Sequence, residues 1–277
     1  MPELSRDDLN AAAAALAAAG CIAAEEEARE LALAAAQGAV SLTDLVQRRT
    51  TGEPLAWITG QVRFCGCAVA VDRGVFVPRW QSEPLAERAA ALLPERGRAL
   101  DLGSGSGALA CALRARRPRA QVIGTESDPI AVRCARHNGV RTVQGDLFSG
   151  VPESWRGRVD VIVGVLPYVP TVELDFLPRD VLAFEPIGAL DGGVEGLDLV
   201  RRAVLESTIW LAHGGHLLLE VGGDQADRLR PSLDQSGFRA IRIGTDADGD
   251  VRSVEATFGT GRPVARGRGA HGQRRDG

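Results

Sequence analysis

Arg98-Ala99-Leu100-Asp101-Leu102-Gly103-Ser104-Gly105-Ser106-Gly107, running on into Ala108-Leu109-Ala110-Cys111-Ala112-Leu113-Arg114, is the stretch from which the fold is read. The first five residues read as a short buried strand, and the last seven open a helix. Between them the alternating glycines let the backbone turn sharply and approach a ligand without Cβ obstruction. Strand, glycine turn and helix together resemble a nucleotide-binding βα unit, but the spacing is G-x-G-x-G and not the dinucleotide G-x-G-x-x-G.

Working outward, Gln121-Val122-Ile123-Gly124-Thr125 reads as a second strand ending in Glu126, about twenty residues past the glycines, where an acid can take both hydroxyls of a ribose. Arg141 to Gln144 is a third strand. Gly145-Asp146-Leu147-Phe148 at its end offers a carboxylate and apolar side chains suited to an adenine amino group and ring face. Val159 to Val163 is a fourth, delivering Val165-Leu166-Pro167-Tyr168 to the same carboxyl edge. Asp101 at the start of the glycine turn disfavours a phosphate, because no Lys or Arg in the loop offsets it. The cationic sulfonium and amino group of S-adenosylmethionine suit it better, so that is the expected cofactor. Asp101 and Gly103 to Gly107, Ser104 and Ser106 included, are expected to cradle its methionine part, Glu126 its ribose, and Asp146 with Leu147 its adenine.

Several separate motifs then resemble the protein-(glutamine-N5) methyltransferases that modify peptide-chain release factors. They are Gly52-Glu-Pro-Leu-Ala-Trp-Ile-Thr-Gly60, Val75-Phe-Val-Pro-Arg79, Asp101 to Gly107, Gly145 to Phe148, Glu185-Pro186, Ala189-Leu-Asp-Gly-Gly193 and Gly196-Leu-Asp198. The likeness runs from about Gly52 to Phe258. It implies a doubly wound, seven-stranded Rossmann-like α/β sheet with a small N-terminal helical domain. It also implies an S-adenosylmethionine-dependent N-methyltransferase acting on a glutamine side chain of a protein such as a release factor.

In that family the signature is Asn-Pro-Pro-Tyr, and here the chain reads Val165-Leu166-Pro167-Tyr168. An amide nitrogen is a poor nucleophile because its lone pair is delocalised, so its NH2 must be held and aimed. The resemblance assigns one N–H to the Asn oxygen, the other to a main-chain carbonyl, and the amide plane to the Tyr ring. Val165 supplies no acceptor; the carbonyls near Leu166 and the Tyr168 ring remain. Losing one such contact from a dry site costs on the order of 10²–10³ in rate. Glu83 or Glu185 is a candidate substitute acceptor. Arg79 is expected to orient the substrate, and Pro167 with Tyr168 to shape its pocket. After Arg79 the family's Pro-Glu-Thr-Glu is replaced by Trp80-Gln81-Ser82-Glu83. Two alternatives therefore stand beside the family reaction: a changed, small-molecule acceptor, and a non-catalytic S-adenosylmethionine-binding protein.

Composition fits an enzyme of this kind. The 277 residues, 45% hydrophobic, suffice for one large core and a small accessory domain. A net charge of −4 gives no basic field for grasping duplex nucleic acid, so no specific nucleic acid is expected. Every basic residue is Arg. Cys21, Cys65, Cys67, Cys111 and Cys134 are scattered without a ligand spacing, which predicts reduced thiols and no metal. His213-Gly-Gly-His216 is read as a solvated turn before a strand over Leu217 to Val221. No signal peptide or membrane span is recognised, which places the chain in the cytoplasm.

The expected division is residues 1–49 as three helices, 50–73 as linker and hairpin, 74–259 as the methyltransferase domain and 260–277 as a disordered Arg/Gly tail. Ser5 with Asp8 and Ser41 with Asp44 supply start signals, and Gly20 a stop. Phe238 to Ile243 and Val251 to Phe258 are expected as the antiparallel edge.

Overall fold

A computed structural model describes residues 5–259 of the chain. The expectation for 260–277 lies outside the described residues. Three helices, α1 (Arg6–Ala18), α2 (Ala24–Gln37) and α3 (Leu42–Thr50), open the chain. Ser5 and Asp8 make the reciprocal capping box, and the Ser41 hydroxyl accepts from Asp44 N, satisfying amides that the first turn of a helix leaves free. Leu16, Leu31 and Leu45 lie at the centre of a separate apolar cluster made by these helices, with Ile58 from the short α4 (Leu55–Thr59) closing it. Arg49 reaches from α3 to Glu27 on α2 at 2.6 Å, pinning the two together.

The hairpin follows as β1 (Gln61–Phe64) and β2 (Cys67–Ala70), paired antiparallel. After α5 (Glu83–Leu92) the alternating layers begin: β3 (Arg98–Leu102), α6 (Ala108–Arg116), β4 (Gln121–Glu126), α7 (Pro129–His137), β5 (Thr142–Gln144) and β6 (Val159–Gly164). Then come α8 (Arg179–Phe184), α9 (Asp198–Trp210), β7 (Leu211–Glu220), α10 (Gln225–Gln235), β8 (Phe238–Thr245) and β9 (Val251–Phe258). The large sheet has seven strands in the order β5-β4-β3-β6-β7-β9-β8. Strands β3 to β7 run parallel; β9 is antiparallel to both β7 and β8. This is the doubly wound arrangement expected.

The period of two along each strand splits the core. Leu100, Leu102, Ile162, Leu217 and Leu219 face α9 and α10; Ala99, Val161, Val163 and Leu218 face α5 and α6. A strand buried on both faces must be apolar nearly throughout, which is why the run from Val159 to Gly164 carries only one acid, Asp160. That acid is used: its Oδ2 accepts from Arg98 N at 2.8 Å, tying β6 to the start of β3.

One expectation is corrected. His213-Gly-Gly-His216 is part of β7, which starts six residues before the expected Leu217. The pairing of β6 with β7 is irregular between Val159 and Val161, and this irregularity absorbs the glycines. His216 Nδ1 lies 3.3 Å from Thr257 Oγ1 on β9, so the ring belongs to the sheet. Among the described residues no group of metal-ligating side chains forms, and no helix is long and apolar enough to cross a membrane.

Candidate active site

All the parallel strands end on one edge, and the turns that leave them enclose a cavity of about 180 Å³. Its wall contains Gly103 and Gly105 after β3, Thr125 and Glu126 at the end of β4, Asp146 and Leu147 after β5, and Val165, Leu166 and Pro167 after β6. An open parallel sheet places its ligand crevice at this edge, where the strand order reverses, here between β3 and β6. A smaller cavity of about 40 Å³ adjoins it, sharing Phe76, Gly103, Gly105 and Val165 and adding Arg79, Ser82, Ser104 and Ser106.

The glycine loop takes its shape from backbone conformations that an L side chain rarely adopts. Gly103 has φ +63°, and a Cβ on it would stand 3.0 Å from Leu166 Cδ2; Gly105 has φ +54° and faces open space. Glu126 holds the loop from the next strand: Gly105 N donates to Oε2 and Asp128 N to Oε1, both at 2.9 Å. Oε1 also accepts from Ser127 Oγ at 3.4 Å, while Oε2 has the Gly105 amide alone and keeps acceptor capacity beside the cavity that Glu126 lines. Buried hydroxyls of Ser104, Ser106 and Thr125 have no partner. Donors and acceptors left open beside a Cβ-free cradle fit the loop to a polar, nucleoside-bearing cofactor.

Leu147 is a non-glycine residue at φ +46°, yet it is buried and lines the cavity. Such a conformation costs on the order of 1–3 kcal/mol and persists where the surroundings over-determine it. Asp146 beside it is paired with Arg202 Nη2 at 2.8 Å.

Asp101 does not line either cavity, although it was expected to cradle the cofactor. It is 1% exposed, beneath the loop, and Ala110 N donates to its Oδ2 at 3.1 Å. Its grip on the first turn of α6 shapes the loop from below. Gly107 is likewise away from both cavities, packed on Ala135 and Val140. Burial pushes the Asp101 carboxyl up to about 7; the Ala110 amide opposes the shift and the Glu126 carboxylate adds to it. An acid raised from its ordinary value near 4 contributes stability that is lost as pH rises from about 4 to about 7 and does not change further above that. Asp101→Asn is therefore expected to flatten the decline in unfolding free energy over that window, measured in urea at pH 5 and pH 8. A decline of the same size in the variant assigns it to another group.

On the acceptor side the expected roles shift. The Arg79 guanidinium pairs with Glu185, whose carboxyl also accepts from Val77 N at 3.3 Å, and lies 4.8 Å over the Phe76 ring. Glu83 accepts from Cys65 N at 3.0 Å. Both candidate substitute acceptors thus already have donors inside the protein. Tyr168 lines neither of these two cavities but a separate one beside Gly222 and Gln225; its hydroxyl donates to Glu220 Oε1 at 3.1 Å, and burial keeps that hydroxyl protonated. The Tyr168 and Val169 carbonyls are taken by Gln225 Nε2 at 2.7 Å and Gly192 N at 2.8 Å. Sequence reasoning passed over Phe76, which lies between the two cavities, and Glu220. Trp80 is an exposed ring outside both. The described cysteines are unpaired, and burial pushes Cys65 and Cys111 up to about 11.

A doubly wound sheet in which Glu126, a Cβ-free loop and the apolar segment Val165 to Pro167 meet at one carboxyl-edge cavity is built for a nucleoside ligand, and the relatives make the chain an S-adenosylmethionine-dependent methyltransferase. The methyltransferase small domain family matches residues 82–167. The release factor glutamine methyltransferase of Geobacter sulfurreducens is 37% identical over 221 residues, 78% of this chain and 77% of the relative. The enzyme of the same name from Neisseria gonorrhoeae is 37% identical over 74% of this chain and 77% of its own length. The chain belongs to the release factor glutamine methyltransferase family. In fold alone it resembles the hMettl16 catalytic domain solved with an RNA hairpin, at TM-score 0.57 and 13% identity over 78% of this chain and 82% of that one.

Proposed function

We propose that the protein methylates the side-chain nitrogen of a glutamine in a peptide-chain release factor. The observation that carries this is the continuity of the two cavities: the residues suited to a nucleoside and the acceptor segment Val165 to Pro167 share one wall. Relatives named for that activity support it. When bound, S-adenosylmethionine supplies a methyl group activated by its sulfonium.

The chain's own residues do the rest. Gly103 and Gly105 let the backbone close on the methionine part, with Ser104 and Ser106 offering hydroxyls and Asp101 holding the loop from beneath. Glu126 receives the ribose hydroxyls, and Asp146 with Leu147 the adenine. The carbonyls along Val165 to Pro167 accept an N–H of the incoming amide, while Leu166, Pro167 and Phe76 keep water away from the nitrogen. Arg79 acts through Glu185, fixing the loop Val75 to Arg79 that closes the small cavity. Helices α1 to α3, which have their own core, form the unit that grips a protein substrate. Free thiols fit work in the cytoplasm.

Calorimetry with S-adenosylhomocysteine, run beside methyl-label transfer to a purified release factor, tests the reading. Binding together with label on glutamine is the expected result. Binding with label only in small molecules of a fractionated lysate would move the acceptor class, and no binding would overturn the assignment.

A further inference from the structure

Glu220 ends β7 and is 6% exposed. The parallel register ends on the pair Gly164 and Leu219, so Val165 and Glu220 are the residues that follow immediately along the two neighbouring strands. They also share a face. Val165 and Leu218 both pack in the cluster under α5 and α6, while Leu219 turns to the other side. A carboxylate is therefore set beside an apolar residue in the acceptor segment.

That carboxylate is only half used. Oε1 accepts from the Tyr168 hydroxyl, and Oε2 is buried without a hydrogen-bond partner. Burial pushes the Glu220 carboxyl up, with the Ser82 and Tyr168 hydroxyls opposing the shift; Glu220 lines neither cavity itself, but Ser82 beside it lines the small one together with Val165. A buried acceptor left unpaired costs about 1–3 kcal/mol, more for a charged one, so a structure that keeps one has a donor in prospect.

The donor follows from the chemistry of the site. A primary amide presents two N–H groups, and the side chains of Val165, Leu166, Pro167 and Phe76 accept neither. The other carboxylates near the site already hold donors: Glu185 has Arg79 and Val77 N, Glu83 has Cys65 N, Asp146 has Arg202, and Glu126 has two backbone amides. We propose that Glu220 is a positioning acceptor for the substrate, its Oε2 taking one N–H of the carboxamide that enters beside Val165. Glu220 then fixes the turn of the planar amide about the C–C bond that carries it, and the Tyr168 hydroxyl fixes Glu220. This rests on the reading that the acceptor is a carboxamide.

The experiment measures binding of N-acetylglutaminamide, a minimal carboxamide, by NMR titration of the full chain saturated with S-adenosylhomocysteine. Transfer to release factor is followed in parallel. Glu220→Ala is expected to weaken the amide about tenfold or more, as loss of one hydrogen bond to a charged group implies, with S-adenosylhomocysteine affinity unchanged. In transfer, the loss falls on KM as well as kcat. Adding Val165→Asn to Glu220→Ala is expected to recover the lost amide affinity, because it returns an acceptor at the neighbouring position. A purely structural Glu220 would not respond to that second change. Tyr168→Phe keeps Glu220 and is expected to lose less than Glu220→Ala.

The proposal is overturned if Glu220→Ala binds the amide as the parent does, if Val165→Asn restores nothing, or if the parent chain binds no amide at all. Amide binding that depends on Glu220, without transfer to release factor, would instead overturn the protein substrate and leave Glu220 in place.

Discussion

Glu126→Ala is expected to weaken S-adenosylhomocysteine binding by about a hundredfold or more, the largest functional effect of any single side chain in the site. Two contributions combine. The ribose loses charged acceptors, at roughly 1.5–3 kcal/mol for each hydrogen bond to a charged group, and about 1.4 kcal/mol is already tenfold. Gly105 N and Asp128 N lose their partners as well, so the loop loses the contact that fixes its open form. Glu126→Gln makes the argument sharper. Both carboxylate oxygens face a backbone N–H, and an amide can turn only one oxygen toward them while its NH2 meets the other donor head on. Glutamine should therefore bind no better than a few-fold above alanine. Calorimetry decides it, and an affinity within a few-fold of the parent in Glu126→Ala would remove this residue from the cofactor site.

Arg79→Ala is expected to give the largest loss of stability among the site residues, about 2–3 kcal/mol. Removing one member of a buried ion pair costs 3–5 kcal/mol because the other charge stays buried, and the figure is lowered here because the Arg79 side chain remains 35% exposed. Glu185, at 2%, is the partner that suffers. Replacing both, Arg79→Ala with Glu185→Gln, should return part of the loss, since no buried charge is then stranded. Denaturant titration of Arg79→Ala, Glu185→Gln and the double variant gives the coupling directly. If the double variant is no more stable than Arg79→Ala, the pair carries less energy than its burial implies. Activity should fall further than stability alone explains, because Val77 and Phe76 are drawn in by the same pair.

Much of the sheet was legible because a parallel strand leaves local marks. The runs at 98–102, 121–126 and 159–164 are apolar, short and followed by turn residues, and Gly103, Glu126 and Val165, at or just past their ends, line one cavity. The capping serines likewise act within one turn of themselves. What stayed hidden is long-range. Arg79 and Glu185 are 106 positions apart, Tyr168 and Glu220 are 52 apart, and no periodicity relates them. Asp101 shows the same limit at shorter range: an acid opening a glycine turn looks like a ligand contact until the first turn of α6 is seen to claim it. The early start of β7 was obscured by its glycines, which read as a turn but are accommodated by a slip in pairing with β6.

Gly103 and Leu166 come from different loops, yet a single added carbon at 103 would stand 3.0 Å from the leucine. Leu166 is itself buried in the core against α9 and α10, so it has nowhere to retreat. For anyone transplanting a new acceptor segment into this scaffold, residues 103 and 166 form one interchangeable part. A bulkier side chain at 166 is expected to press on the glycine loop, so a replacement made there for a new acceptor should also show in S-adenosylhomocysteine affinity.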